Sequence, residues 1–427
     1  MRWLILVLAA IPAFAGWAWI VFIGTFDGWW REPLAEPGDA DGFAAAAAAY
    51  LDAHNRGNAA FRLVESGEIF AEHFVSIGTP VDAHTRFPVA SISKWVTAWA
   101  VLDRVEAGEL ALDVPVARYL TRWALPPGPF DNDGVTIRRL LSHTAGLTDD
   151  LGYLGFEPGQ PLQPLEDSLN RAADAEPGAD GRVRVGIEPG SEWRYSGGGY
   201  ALLQLVLEEV SGEAFADHVG RTVLEPLGMH DSTFELPDGA NVATLYDVDG
   251  RSVAPRRFTA SSAAGLYSSV GDLARFAAAH AGAAAGGGVL EPDTVARLRQ
   301  PQATAFGTEI WGLGTMLYAE NGRGSHLIGH DGFNAPASTG TVRVDPATGD
   351  AIVVLATGNP RLTSYLGGEW VFWKTGHLDI ATFYGSRRQM FLTIAAGWGV
   401  IVLAVLVTGW LTRAPRPERG PVTGSAP

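Results

Sequence analysis

Three short stretches of this chain carry side chains that together could act on a carbonyl group: Ser91-Ile-Ser-Lys94, Tyr195-Ser-Gly197 and His330-Asp-Gly332. Ser91 and Lys94 are three residues apart, a spacing that puts two side chains on one face of a helix. A serine at the positive end of a helix is a candidate nucleophile, and an amine beside it can help remove its proton. A bare Ser-x-x-Lys arises by chance in long chains, but composition sharpens this one. Only two of the 31 basic residues are lysines, Lys94 and Lys374. Arginine keeps its proton in proteins, whereas a desolvated lysine can act as a base. Trp95 and Trp99 beside Lys94 point to a buried setting rather than a surface lysine.

The element that must position this pair is a helix entered at Ser91 and stopped by Gly108. Ile92, Trp95, Val96, Trp99 and Leu102 follow the spacing of a buried helical face. Upstream, an Ala-rich helix is expected over Phe43 to His54. A hairpin follows, with strands Ala60–Val64 and Glu68–Val75 around Ser66-Gly67. Downstream, a short helix capped by Asp113 and an amphipathic helix within Val135–Leu147 are expected. Loops with one short helix should fill Gly152–Gly190, followed by helices over Ala201–Ser211 and after Ser269. Trp311–Tyr318 reads as one strand, Ser338–Val344 and Ala351–Thr357 as a strand pair, and Leu366–Trp373 as a closing helix.

The 427 residues carry a net charge of −16, which argues against nucleic acid as a partner. The absence of cysteine excludes disulfides and thiolate metal sites. There is no G-x-S-x-G elbow and no H-E-x-x-H motif. Asp131–Gly134 and Tyr246–Gly250 read as turns rather than metal loops, so neither a metal nor a cofactor is expected. Residues 3–26 are uncharged and long enough to span a bilayer. A cleaved signal peptide is the rival reading, but the apolar run continues well past Ala13-Phe14-Ala15, which favours an anchor. Met390–Leu411 is a second uncharged run. Arg2 before the first span and Arg413, Arg416 and Arg419 after the second put both termini in the cytoplasm, although Arg387 and Arg388 oppose this. The expected plan is a span at 3–26, a linker at 27–42, a catalytic domain at 43–380, a span at 390–411 and a cytoplasmic tail at 412–427.

Taken in order, FPVASISK, LLSHTAGL, EPGSEWRYSGGGY, LEPLGMHDSTF, SSAAGLYSSVGDLARF and GHDGFNAP make the chain resemble the serine β-lactamase and penicillin-binding-protein superfamily, in particular its class C-like serine hydrolases. The resemblance runs from about Asn58 to Trp373. It implies an α/β fold, with an antiparallel sheet flanked by helices and a mostly helical region at about 110–255. It also implies that Ser91 becomes acylated, that Lys94 and Tyr195 hold and shuttle its proton, and that the N–H groups of Ser91 and Phe333 form an oxyanion hole. His330, Asp331 and Gly332 would stand in the substrate-binding third motif. His143 reads as a loop-fixing residue. Lys374-Thr-Gly376 is rejected as the third motif, because no room remains for the strand that should follow it.

Two departures bear on substrate. The second motif usually ends in Asn, and here ends in Gly197. The third is usually Lys-Thr-Gly, and here is His-Asp-Gly. An ionised Asp331 about 4 Å from a substrate carboxylate would cost roughly 4 kcal/mol at an effective dielectric near 20. The expectation is therefore an esterase or peptidase for neutral or amine-bearing small-molecule or peptide substrates, including D-amino acid or cell-wall-derived ones. The alternative placement turns Asp331 away to pair with an arginine. The alternative function is a non-catalytic wall sensor that kept the fold. The sequence does not fix the oligomeric state.

Overall fold

A computed structural model describes residues 2–150, 152–236, 241–282, 285–305 and 307–412. It divides into a large unit, Glu32–Thr382, and a small unit formed by the two ends of the chain.

The large unit opens with a helix, Ala40–His54, and then a hairpin of β1 (Ala59–Glu65) and β2 (Glu68–Val75). Its two turn residues, Ser66 and Gly67, both have positive φ, as the favoured two-residue hairpin turns require. Phe87–Pro88 (β3) leads into the helix Ile92–Glu106. Two short ladders follow: Leu245–Tyr246 (β4) pairs with Ser252–Val253 (β5), and Tyr267–Ser268 (β6) pairs with β3. The remaining strands are Ala303–Ala305 (β7), Thr308–Trp311 (β8), Met316–Glu320 (β9), His326–Asn334 (β10), Ser338–Val344 (β11) and Ala351–Thr357 (β12). Among the described residues the main sheet has the order β2-β1-β12-β11-β10-β9-β8-β7, and its neighbouring strands run antiparallel.

Both faces of this sheet are covered, so its central strands are apolar on both sides. Ala60 and Val64 of β1 and Val353 and Leu355 of β12 join the core that contains the Ile92–Glu106 helix. Phe61, Leu63, Ile352 and Val354 point the other way, against Phe43, Leu51, Leu366 and Trp370 of the helices Ala40–His54 and Leu362–Thr375. This is the two-residue period of a strand serving two cores.

Several sequence expectations are corrected. Trp311–Tyr318 is not one strand but the end of β8, a turn and part of β9, with Gly312 and Gly314 breaking it. The helix expected within Val135–Leu147 is only Ile137–Leu141. The Thr136 hydroxyl caps it, and it is closed by His143, whose φ is +57°. Asp113 caps nothing. It pairs with Arg138 at 2.7 Å, and the short helix there is a 3-10 turn, Val116–Tyr119. The region at 110–255 holds mostly short helices joined by long loops, with one long helix, Gly197–Ser211.

The small unit contains the helix Arg2–Phe26 and most of the helix Ile380–Leu411. Their indoles link them: Trp17 Nε1–H donates to the Thr393 carbonyl (3.2 Å) and Trp398 Nε1–H to that of Phe14 (3.1 Å). Both helices are long and apolar enough to cross a bilayer, over Leu8–Phe26 and Gly385–Leu411. The second helix starts ten residues before the expected span and includes Arg387 and Arg388. The expected tail lies outside the described residues from 413 onward.

Lys374 sits at the end of the helix Leu362–Thr375 and ties it to the sheet, pairing with Glu65 (2.7 Å) and Asp350 (2.9 Å). Lys374→Met should lower unfolding free energy by about 1–3 kcal/mol, as read by denaturant titration. Ser91 should react with a serine probe at an unchanged rate. A folded but unreactive variant would return Lys374 to the catalytic site.

Candidate active site

Ser91 stands where the chain turns from β3 into its helix. Ala90 just before it takes φ +47°, a conformation that costs a non-glycine residue energy and must be held by its surroundings. The brace is Ser93, whose hydroxyl donates to the Ala90 carbonyl (2.5 Å) and accepts the Leu266 N–H (2.9 Å). Ser91 is the N-cap residue, yet its hydroxyl makes no capping bond, which leaves it free for other partners. Lys94 Nζ lies 3.1 Å from Ser91 Oγ and donates at 2.7 Å to the Ala263 carbonyl. Both bonds are possible because Lys94 follows Ser91 by one helical turn and the helix Ser261–Ala264 packs alongside.

Lys94 is only 3% exposed, among Trp95, Val96 and other buried side chains of its own helix. Burial pushes its pKa down to about 7, against the opposing pull of the Asp149 carboxylate. Tyr195 presents its phenol to the Ser91 side chain, and Lys94 Nζ stands 5.0 Å from the centre of its ring. Burial pushes the phenol above its usual pKa, and the Ser91 hydrogen bond offsets only part of that. At neutral pH, Lys94 therefore gives up a proton more readily than Tyr195.

Tyr195 is held by residues on both sides. Ser196 caps the helix Gly197–Ser211 by accepting the Gly199 N–H (2.8 Å), and it donates its own hydroxyl to Asp149 (2.5 Å). The Tyr-Ser-Gly stretch thus starts a helix, and Gly197 is its first residue. His143 stacks on Tyr195 at 4.4 Å between ring centres, and its Nδ1 accepts the Ser196 N–H at 3.1 Å. The loop-fixing role expected of His143 matches this geometry. Burial and the nearby Lys94 keep its imidazole neutral.

The third motif lies on β10, which was not recognised as a strand from sequence. Gly332 is what lets β10 approach: a Cβ there would lie 2.1 Å from the Val89 carbonyl oxygen, two residues before Ser91. From His330 onward, β10 pairs with β11 but no longer with β9 among the described residues, so one edge is open beside Ser91. Phe333, whose N–H is the second expected oxyanion donor, follows on this stretch with an exposed ring.

The pleat separates the motif's two polar side chains. His330 is buried edge-on to Trp311, and its Nδ1–H donates to the Asp331 carbonyl (2.7 Å). Burial and Lys94 lower its pKa to about 3, so it is a neutral ring, and its Nε2 is a buried acceptor without a partner among the described residues. Asp331 lies on the opposite face of the sheet. It accepts the hydroxyl proton of Thr341, directly across on β11, and pairs with Arg343 Nη2 at 3.1 Å. Arg343 is wholly buried, bonds Asp379 as well and stacks 3.9 Å from the Tyr318 ring centre. The expected repulsion of a substrate carboxylate by Asp331 is therefore corrected, and the alternative placement against an arginine is the one found. The reason is strand parity: residues 330 and 331 cannot share a face.

Ser91, Lys94, Tyr195 and His330 thus meet at one place, Gly332 and Phe333 border it, and Asp331 stands behind it. Sequence reasoning missed Asp149, Ser93 and the Ala263 carbonyl. The carbonyl has no side-chain signature at all. Among the described residues, no cluster of His, Asp and Glu is arranged to hold a metal.

Fold and site together define a serine hydrolase scaffold of the β-lactamase type. The Beta-lactamase family model matches residues 43–373, and the chain belongs to that family. Penicillin-binding protein 4 of Amycolatopsis lactamdurans is 30% identical over 306 residues, 66% of this chain and 74% of that protein. Esterase EstB of Burkholderia gladioli is 35% identical over 185 residues, so the match spans only 40% of this chain and 43% of EstB. Among solved structures, SurE superposes with a TM-score of 0.60 at 27% identity, covering 78% of this chain and 74% of that one.

Arg343→Met would leave Asp331 and Asp379 buried without a counter-charge and should cost about 3–5 kcal/mol of stability in denaturant titration. Asp331→Asn should change turnover of a carboxylate-bearing ester no more than turnover of its neutral analogue. A selective gain on the anionic ester would put Asp331 back in the cleft.

Proposed function

We propose that this chain is a membrane-anchored serine hydrolase that works through an acyl-enzyme on Ser91. It would cleave ester or amide bonds of neutral or amine-bearing donors, such as small esters or D-amino acid and peptidoglycan-like compounds. The observation that carries this reading is the buried Lys94 amine 3.1 Å from the Ser91 hydroxyl.

In this reading, uncharged Lys94 accepts the Ser91 proton as Oγ attacks the carbonyl carbon. The N–H groups of Ser91 and Phe333 stabilise the oxyanion. As the tetrahedral intermediate collapses, the C–O or C–N bond breaks, and the leaving group takes a proton passed from Lys94 through Tyr195. Water then repeats the sequence on the acyl ester, giving up its proton to Lys94 and releasing the acid and free Ser91. Tyr195, with its pKa raised, acts as the proton carrier and Lys94 as the resting base.

The third motif supports the substrate class. A neutral His330 with a bare Nε2 offers an acceptor where the family's usual lysine offers a cation. Asp331 is turned behind the sheet onto Arg343, a guanidinium it shares with Asp379. The motif therefore brings no fixed charge to the cleft that would hold a carboxylate, and an acceptor favours N–H-bearing donors.

Ser91→Ala should abolish labelling by a fluorophosphonate, and Lys94→Arg should slow it by about 10²–10⁴-fold. In the wild type the labelling rate should rise with pH through about 7 and then level, because the base form of Lys94 accumulates as pH passes its pKa. Labelling that persists in Ser91→Ala, or a rate flat from pH 5 to 9, would contradict the mechanism. No labelling of the folded wild type would favour the sensor.

The two terminal helices would hold the catalytic unit outside the cytoplasmic membrane, with both chain ends inside. Their largely exposed apolar side chains, such as Leu403 and Trp410, support this reading. The chain has no cysteine, so a single one can be introduced at exposed Arg323. It should react with an impermeant maleimide in intact cells, and protection until lysis would invert the topology.

A further inference from the structure

A cavity of about 770 Å³ lies between the loop 126–129, the end of the helix Leu165–Asn170 and the extended segment 182–186. Arg171, Arg182 and Arg184 line it, and no aspartate or glutamate does. This runs against the composition of the chain, which has 47 acidic residues and 31 basic ones. Exposed arginines elsewhere are matched by carboxylates, as Arg221 is by Glu213 and Arg251 by Asp249. Here Arg184 has Asp180 at 2.9 Å. Arg171 and Arg182 are exposed, and their guanidiniums have no partner among the described residues. Cations gathered without counter-charge repel one another, so the cavity favours an anion that enters it.

The backbone that carries these arginines is fixed. Val183 and Val185 are buried, at 1% and 2% exposure, while Arg182 and Arg184 alternate with them and are exposed. This is the parity of an extended chain, and it sets the two arginines on one face with Cα atoms about 7 Å apart. The segment is bonded to its neighbours on both sides. The Val183 N–H donates to the Leu169 carbonyl (3.0 Å), the Thr148 N–H to the Arg184 carbonyl (3.2 Å) and the Gly186 N–H to the Gly146 carbonyl (3.0 Å). The loop 126–129 closes tightly on it: a Cβ on Gly128 would lie 3.2 Å from the Val185 carbonyl oxygen. Asn170, also in the lining, accepts the Trp123 Nε1–H on Oδ1 (3.0 Å), which leaves its NH2 as a further donor.

We propose that this cavity binds a soluble phosphate monoester, with Arg171, Arg182 and Arg184 receiving the phosphoryl group. The site is separate from the Ser91 centre and does not rest on its chemistry. A carboxylate has two oxygens and one charge, which a single guanidinium fork can satisfy. A phosphate monoester presents three acceptor oxygens and nearly two charges at neutral pH, which suits several guanidiniums at once. The volume admits a molecule the size of a phosphorylated sugar.

The test is calorimetric titration of the full chain in detergent with glucose 6-phosphate, with glucose and dimethyl phosphate as controls. Glucose 6-phosphate should bind saturably with a Kd below about 1 mM at pH 7.5. It should bind more weakly at pH 5.0, because the second ionisation of the ester has a pKa of about 6. Arg171→Gln and Arg182→Gln should each weaken binding by about 10-fold or more. Arg323→Gln, at an exposed arginine outside the cavity lining, should leave it within about two-fold and so excludes a general charge effect. The exposed positions of Arg171 and Arg182 keep both variants folded, as an unchanged melting temperature would verify. No saturable binding, equal binding of glucose or dimethyl phosphate, or an equal loss in Arg323→Gln overturns the assignment. Each of these results leaves Ser91 as nucleophile.

Discussion

The site depends on keeping the Lys94 amine out of water. In solvent an ammonium beside Ser91 would hold its proton until well above neutral pH and could not act as a base. Burial on the inner face of the Ile92–Glu106 helix brings its pKa down to about 7, and Asp149 stops it from falling further. The amine keeps two acceptors, Ser91 Oγ and the Ala263 carbonyl, so it is desolvated yet oriented. Ser93 bracing the strained Ala90 turn, Asp149 fixing Ser196 and His143 stacking on Tyr195 all secure the geometry around that one group.

The second constraint is the close approach of β10 to the start of that helix. It requires a residue without a side chain at 332, and it brings the 330–333 stretch alongside Ser91. The strand pleat then sorts charge by face. The neutral imidazole goes toward the catalytic side, and the carboxylate goes behind the sheet, where Arg343 and Asp379 complete a buried cluster. Asp379 also caps the first turn of the helix Ile380–Leu411 by accepting the Thr382 N–H at 2.7 Å. The strand that carries the third motif is thus tied through Arg343 and Asp379 to the last residues of the large unit.

Much of this was legible in the residues. The apolar spacing from Ile92 to Leu102 announced a buried helix, and the scarcity of lysine singled out Lys94. Ser66-Gly67 marked a hairpin that is present. The direction of Asp331 was not legible, because GHDGF carries two glycines and a charge and does not read as a strand. With a strand drawn through 326–334, alternation alone would have turned Asp331 away from His330. The break in Trp311–Tyr318 was hidden for a related reason: the turn glycines lie inside an apolar run. Asp149 sits in loop-rich sequence, where no periodicity separates a buried carboxylate from a solvated one.

Because the chain contains only two lysines, the ionisation of Lys94 can be observed directly. Full-length protein carrying 13C-labelled lysine, in detergent micelles, should give two side-chain signals, with that of Lys94 identified by its loss in Lys94→Arg. The account predicts that this signal titrates with a midpoint near pH 7. A signal that stays in its ammonium position beyond pH 9 would contradict it, because Lys94 could then not serve as the resting base for Ser91.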